Sequence, residues 1–163
     1  MPLLPIVQAA LDAHQITCKV FECDPALADT AAFCARYGFR PNQSANTIVV
    51  IGKGDPPRYA ACVVLATAKL DVNKAVYRLL GTKKASFAPM DTALELTHME
   101  YGGVTAFGLP ADMPLYVDAA VIVGGEIVMG GGNRSSKVVL DAKELHKFPG
   151  VHVVEGLAKI QEL

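Results

Sequence analysis

The sequence predicts a mixed α/β protein built on a curled, largely antiparallel, barrel-like sheet flanked by helices. Three observations lead there. Strand-like runs do not alternate regularly with helical ones, which argues against a doubly wound parallel sheet. Between Asp71 and Gly81, residues Val72, Ala75, Val76, Leu79 and Leu80 form an apolar stripe at helical spacing. From Val104 onward, short β-rich runs are separated by glycines and prolines. At 163 residues, 52% of them hydrophobic, the chain has the size of one globular domain, 1–163, with apolar surface for a single core.

Pro5 to His14 carries Ile6, Val7, Ala10 and Leu11 at helical spacing, and a strand follows at Cys18 to Phe21. Asp29 or Thr30 can cap a helix through Phe33 and Cys34 to Tyr37, where Gly38 supplies the left-handed exit residue. Asn46 to Ile51 and Tyr59 to Leu65 read as a buried antiparallel pair, with turn-rich Gly52 to Arg58 between them. The Asp71 helix closes at Gly81. A short strand at Ala85 to Phe87 precedes a helix over Pro89 to Leu96, with Asp91 and Glu95 facing solvent. Val104 to Leu109, Leu115 to Val117, Ala120 to Val123 and Glu126 to Met129 read as strands, and Gly124-Gly125 signals a hairpin between the last two. Lys137 to Leu140 is a further strand. Asp141 and Glu144 have the spacing of a capping box leading a helix to Lys147, Val151 to Val154 ends the sheet, and Glu155 to Gln161 forms a last helical turn or two.

Fifteen Lys and Arg against 16 Asp and Glu leave a net charge of −1, so no global field attracts a polyanion. A nucleic-acid contact has to come from a local basic patch or from a pocket that grips one end. Lys69, Lys74, Arg78, Lys83 and Lys84 cluster around the Asp71 helix, with Lys74 and Arg78 on one face; a solvated helix face accounts for them equally well. No apolar run reaches the roughly 20 residues that span a bilayer, and Met-Pro-Leu-Leu-Pro lacks the basic start of a signal peptide, so a cytoplasmic location is expected. Cys18, Cys23, Cys34 and Cys62 form no C-x-x-C pair and have no histidine at metal-ligand spacing; they read as buried thiols, and no metal or cofactor is expected.

Two glycine-rich stretches stand out, Tyr101 to Gly108 and Gly130 to Lys137. Glycine lets a backbone approach a ligand and present successive N–H groups to an oxyanion or carbonyl, although tight turns use it equally. The second stretch lacks P-loop spacing, which excludes nucleotide hydrolysis on that pattern.

Taken in order, Ser44 to Val49, Ala66 to Asp71, Glu95 to Thr97, Gly102-Gly103-Val104-Thr105 and Gly130-Gly131-Gly132 resemble the YbaK/prolyl-tRNA-synthetase-associated domain family over nearly the whole chain. The resemblance implies a freestanding, metal-independent aminoacyl-tRNA deacylase. It places Gly102, Gly103, Val104 and Thr105, with Asn46, in the catalytic group, and Thr47, Lys69, Ala106, Gly131, Gly132 and Ser135 around the substrate. The loop would offer backbone N–H groups to the ester carbonyl, with water attacking with help from the substrate's terminal ribose hydroxyl. The implied partner is the 3′ aminoacyl end of tRNA, with a synthetase or elongation factor as a further candidate, and neither DNA nor membrane. Alanine on tRNA-Pro is the first substrate indicated, and Gly103→Pro is expected to abolish turnover in a folded protein.

The chain departs from the family pattern at Asn46, where a lysine is common, at Ala106, where proline is usual, and at His98, often glycine. Either a different lysine, such as Lys53 or Lys69, takes over that contact, or the chain belongs to a subgroup with an altered substrate. Two other readings use the same fold: a non-catalytic module that binds aminoacyl-tRNA or a synthetase, and a hydrolase of small amino-acid esters or amides.

Overall fold

The longest ladder pairs β2 (Ala45–Gly52) with β3 (Arg58–Leu65), from Ala45 opposite Leu65 to Gly52 opposite Arg58. In the computed structural model, which describes residues 3–160, β3 is buried from Ala60 to Val64 because its two faces serve different cores. Ala61 and Val63 pack with Phe107, Leu115 and Val117, while Ala60, Cys62 and Val64 pack with Leu70, Val76, Leu80 and Leu157. A strand covered on both sides reads as a continuous apolar run.

Around this pair the main sheet runs β5-β2-β3-β6-β9, with β5 at Ala85–Phe87, β6 at Leu115–Asp118 and β9 at Val151–Val154. Strand β6 is parallel to both β3 and β9, and the remaining pairs are antiparallel. A second, antiparallel sheet runs β1-β8-β7, formed by Cys18–Glu22, Ser136–Asp141 and Glu126–Gly130. The two sheets touch where Ser44 bridges Val128, but they do not close into a barrel. A separate ribbon pairs β4 (Ala68–Leu70) with β10 (Ala158–Ile160).

Helices α1 (Pro5–Ala13), α2 (Thr30–Tyr37) and α4 (Met90–Thr97) lie where the sequence places them. Gly38 ends α2 at φ +81, and His98 ends α4 at φ +58. That left-handed position is one glycine fills without strain. The Asp71 helix begins as a π turn over Val72–Val76, with the Val76 N–H reaching the Asp71 carbonyl, and continues as α3 (Tyr77–Leu80). Asp71 caps it through the Lys74 N–H.

Several expected elements differ. Val104 to Leu109 is an irregular loop; Phe107 is fully buried, but Gly102 and Gly108 adopt φ +78 and +90, which strand pairing does not accommodate. Ala120 to Val123 belongs to a helical turn, α5 (Ala119–Ile122), so Gly124-Gly125 ends a helix and is no hairpin. Asp141 caps the Lys143 N–H, but the segment Ala142–Lys147 is a 3₁₀ helix. There Glu144 accepts from Lys147 and the Thr17 N–H instead of closing a capping box. The expected terminal helix is strand β10 through Ile160, and Gln161 lies outside the described residues.

A candidate functional site at the open edge of a strand

Strand β2 is paired with β3 along its whole length but with β5 only from Val50 to Gly52. The Val49 carbonyl accepts the Ala88 N–H on the β5 side. In an antiparallel strand alternate residues direct their peptide groups to opposite edges, so the N–H and C=O of Thr47 also point away from β3. There, in place of a neighbouring strand, lies a cavity of about 460 Å³. Ala45 to Val49 form one wall, Ala28 to Thr30 a second, and Phe87, Ala88 and Met90 a third, with Gly102, Val104, Gly130 and Lys137 completing the lining.

The lining is mostly apolar, with a few polar groups of distinct kinds. Thr47 Oγ1 is buried without a protein hydrogen-bond partner among the described residues, as is Thr105 Oγ1 in the core; such a group costs about 1–3 kcal/mol unless water or a ligand satisfies it. Lys137 reaches the cavity from β8, its Nζ lying 5.4 Å from the centre of the Phe33 ring. No carboxylate forms an ion pair with it among the described residues. Partial burial, the largest cause, holds its pKa below the ordinary lysine value, because an ammonium withdrawn from water without a paired counter-ion is destabilised.

Arg134 ties the rims together. Its guanidinium donates to the Pro25 carbonyl at 3.2 and 3.0 Å and lies 3.5 Å from Asp29, while the same side chain stacks over Tyr101. Its backbone N–H donates to Glu100 Oε1. The wall carrying Ala28 to Thr30 is thereby held against the Gly102 loop.

The expected site residues separate into two groups. Asn46, Thr47, Gly102 and Val104 line the cavity. Gly103 does not: its N–H donates to the Glu100 carbonyl and its carbonyl accepts the Gly132 N–H, so it is a turn residue rather than a free donor. A Cβ at Gly103 would stand 2.5–2.7 Å from the Asn133 backbone, so Gly103→Pro is expected to break the loop rather than leave the fold intact. Thr105 is fully buried, its N–H directed to Met99 Sδ, and Ala106 lies in the apolar core. Gly131 and Gly132 pack against Leu3, Leu4, Val7 and Ser136. Ser135 donates to Asn133 Oδ1 within its own loop. Lys69 lines a neighbouring hollow, and Lys53 a third.

The cation in the cavity is therefore Lys137, which the sequence motifs do not single out. Its sequence signal is slight: it closes the Gly130 to Lys137 stretch and opens the apolar run Val138 to Leu140, whose residues are buried on both faces of the strand. The cysteines are buried or half-buried thiols; burial pushes the Cys62 thiol up to about 12, and those of Cys18, Cys23 and Cys34 upward, all away from a reactive thiolate. Among the described residues no three of His, Cys, Asp and Glu are grouped as metal ligands.

The fold and site define a mixed α/β protein whose cavity combines an open strand edge, glycine backbone and one half-buried cation. Residues 24–148 match the aminoacyl-tRNA editing domain, and the chain belongs to that family. It is 31% identical over 128 residues to the uncharacterized protein YwhH of Bacillus subtilis (strain 168), covering 78% of each chain. A solved candidate trans-editing enzyme for prolyl tRNA synthetase superposes with a TM-score of 0.81 at 26% identity, over 96% of this chain and 98% of that one. The hypothetical protein APE2540 shares the fold, with a TM-score of 0.84 at 21% identity over 94% of this chain and 99% of its own. The activity class is thus aminoacyl-tRNA editing, and no helix among the described residues is long and apolar enough to cross a membrane.

Proposed function

We propose that the protein is a trans-editing hydrolase that removes a small wrong amino acid from tRNA, with alanine on tRNA-Pro as the first substrate to test. The observation that carries this reading is the open edge of β2. The outward N–H of Thr47 faces the cavity that Gly102 and Val104 also line. Among the described residues, the N–H groups of Thr47, Gly102 and Val104 are not spent on backbone partners in turns or loops.

An ester carbonyl seated between Thr47 and the Gly102–Val104 loop would receive backbone hydrogen bonds. These strengthen as its oxygen becomes an oxyanion, which lowers the barrier by about 3 kcal/mol for one well-placed donor. Water adds to the carbonyl carbon, positioned by the free hydroxyl of the terminal ribose. The tetrahedral intermediate then collapses, expelling the other ribose oxygen, which takes up a proton, and releasing the amino acid. Lys137 supports the same reading. It supplies a positive charge that Asn46 lacks, from a different strand, so the substitution at position 46 does not leave the cavity without a cation.

The test is release of amino acid from a panel of mischarged tRNAs by the wild-type protein with EDTA present, beside Asn46→Ala and Asn46→Lys. Turnover of one aminoacyl-tRNA well above spontaneous hydrolysis is expected. Silence across the panel with tRNA still bound would overturn the hydrolase and favour the binding module.

A further inference from the structure

Strand β5 is one edge of the main sheet, and the hollows along it form a series. The ester cavity shares Phe87 with a hollow of about 430 Å³ that contains Lys69 and Lys159, and that hollow shares Ala85 and Ser86 with another containing Lys53 and Lys84. Phe87 is 51% exposed at the boundary between the first two. Among the described residues, the two outer hollows are lined by four lysines against a single carboxylate, Asp71.

Lys69 and Lys159 stand directly opposite each other across the β4–β10 ribbon, both exposed. Directly opposed like charges destabilise a strand pair. Their relief among the described residues is slight, since Lys159 Nζ is 4.0 Å from Asp71 Oδ2 and Asp71 Oδ1 is occupied in capping Lys74. The Lys53 N–H donates to the Lys84 carbonyl, which holds the next two lysines together at the far end of β5. In a chain of net charge −1, this concentration of cations leading to a cavity mouth is electrostatically suited to a polyanion that enters end first. The exposed ring at the mouth suits a base, because an aromatic platform combined with a basic groove is how single strands are held without sequence readout.

We propose that the β5 edge is a track for the single-stranded 3′ end of RNA, with Lys69, Lys159, Lys53 and Lys84 facing phosphates and Phe87 stacking on a base beside the ester cavity. The proposal rests on the editing reading for its ligand, but RNA binding can be measured without any hydrolysis.

The experiment uses a fluorescein-labelled, uncharged single-stranded RNA ending in CCA-3′ and fluorescence anisotropy across a salt series. Lys69→Gln with Lys159→Gln is expected to weaken binding and to reduce the slope of log affinity against log salt by about 1.4, at about 0.7 for each phosphate no longer neutralised. Lys53→Gln with Lys84→Gln should act similarly. Phe87→Ala should weaken binding about tenfold with the slope unchanged. Lys19→Gln with Lys143→Gln, both exposed lysines away from these hollows, serves as the matched charge control and should bind as wild type. Equal losses in the control pair, unaltered binding by the track variants, or no RNA binding by the wild type would each overturn the track. RNA bound along it without turnover of any aminoacyl-tRNA would overturn the hydrolase and leave the track standing.

Discussion

The two glycine-rich stretches look alike in sequence and do different things in the fold. In the first, Gly102 lines the cavity at φ +78, and a Cβ there would meet the Arg134 guanidinium, the far end of a flexible side chain. In the second, Gly130 and, at its far end, Lys137 line the cavity; Gly131 and Gly132 are buried where α1 comes down onto the loop, and the Gly131 carbonyl accepts the Leu4 N–H. The stretches are also bonded to each other, Glu100 N–H to Gly132 carbonyl and Gly132 N–H to Gly103 carbonyl. Glycine therefore marks close approach in both places, but in most of these positions the approaching group is the protein's own backbone or core. A run of glycines is evidence of crowding before it is evidence of a ligand.

That contrast can be tested directly. Gly103→Ala forces a Cβ onto the Asn133 backbone, which cannot rotate aside, so a loss of more than about 3 kcal/mol is expected. Chemical denaturation would read it, and a wild-type midpoint would mean that the two loops do not touch. Gly132→Ala combines φ +91 with a Cβ 2.7 Å from Val7 Cγ2. It should cost about 2–3 kcal/mol in the same measurement, without a specific effect on catalysis in the protein that remains folded.

Lys137→Gln should do the reverse, lowering kcat/KM about 30-fold, near 2 kcal/mol, in a protein at least as stable as wild type, because it removes a partly buried ammonium that forms no ion pair among the described residues. The pH dependence has a definite sign. Burial lowers the folded-state pKa of Lys137, so the penalty for keeping it charged is present below that pKa and is relieved as pH rises toward the unfolded value. Activity that needs the ammonium falls over the same alkaline range, and this limb should vanish in Lys137→Gln. An unchanged limb would assign it to another group. The smallest effect is expected from Thr47→Val, about tenfold in turnover and within about 1 kcal/mol in stability, since Oγ1 has no protein partner among the described residues. Full activity in Thr47→Val would restrict the role of that residue to its backbone.

The contrast also marks how far the sequence can be read. Helices α1, α2 and α4, the β2–β3 pair and the left-handed exit at Gly38 follow from short-range patterns, and all are present. The apolar run from Tyr59 to Leu65 is legible as a buried strand because burial on both faces removes alternation. Local pattern misjudges Ala120 to Val123 and the terminal β10, where short apolar segments suit helix or strand equally and only the neighbour decides. For β10 that neighbour is β4, far earlier in the chain.

What the amino-acid order settles by itself is the class of fold, the family motifs and the presence of Asn46 and Thr47 on one strand. Tertiary structure alone decides which peptide groups of those residues remain open, since that depends on where β5 stops pairing with β2. It also decides that Lys137, distant in sequence from the Gly102 loop, supplies the charge in the cavity. A side chain's chemistry is written at its own position, but whether it is desolvated, paired or exposed is set by residues far along the chain, and those surroundings govern its function.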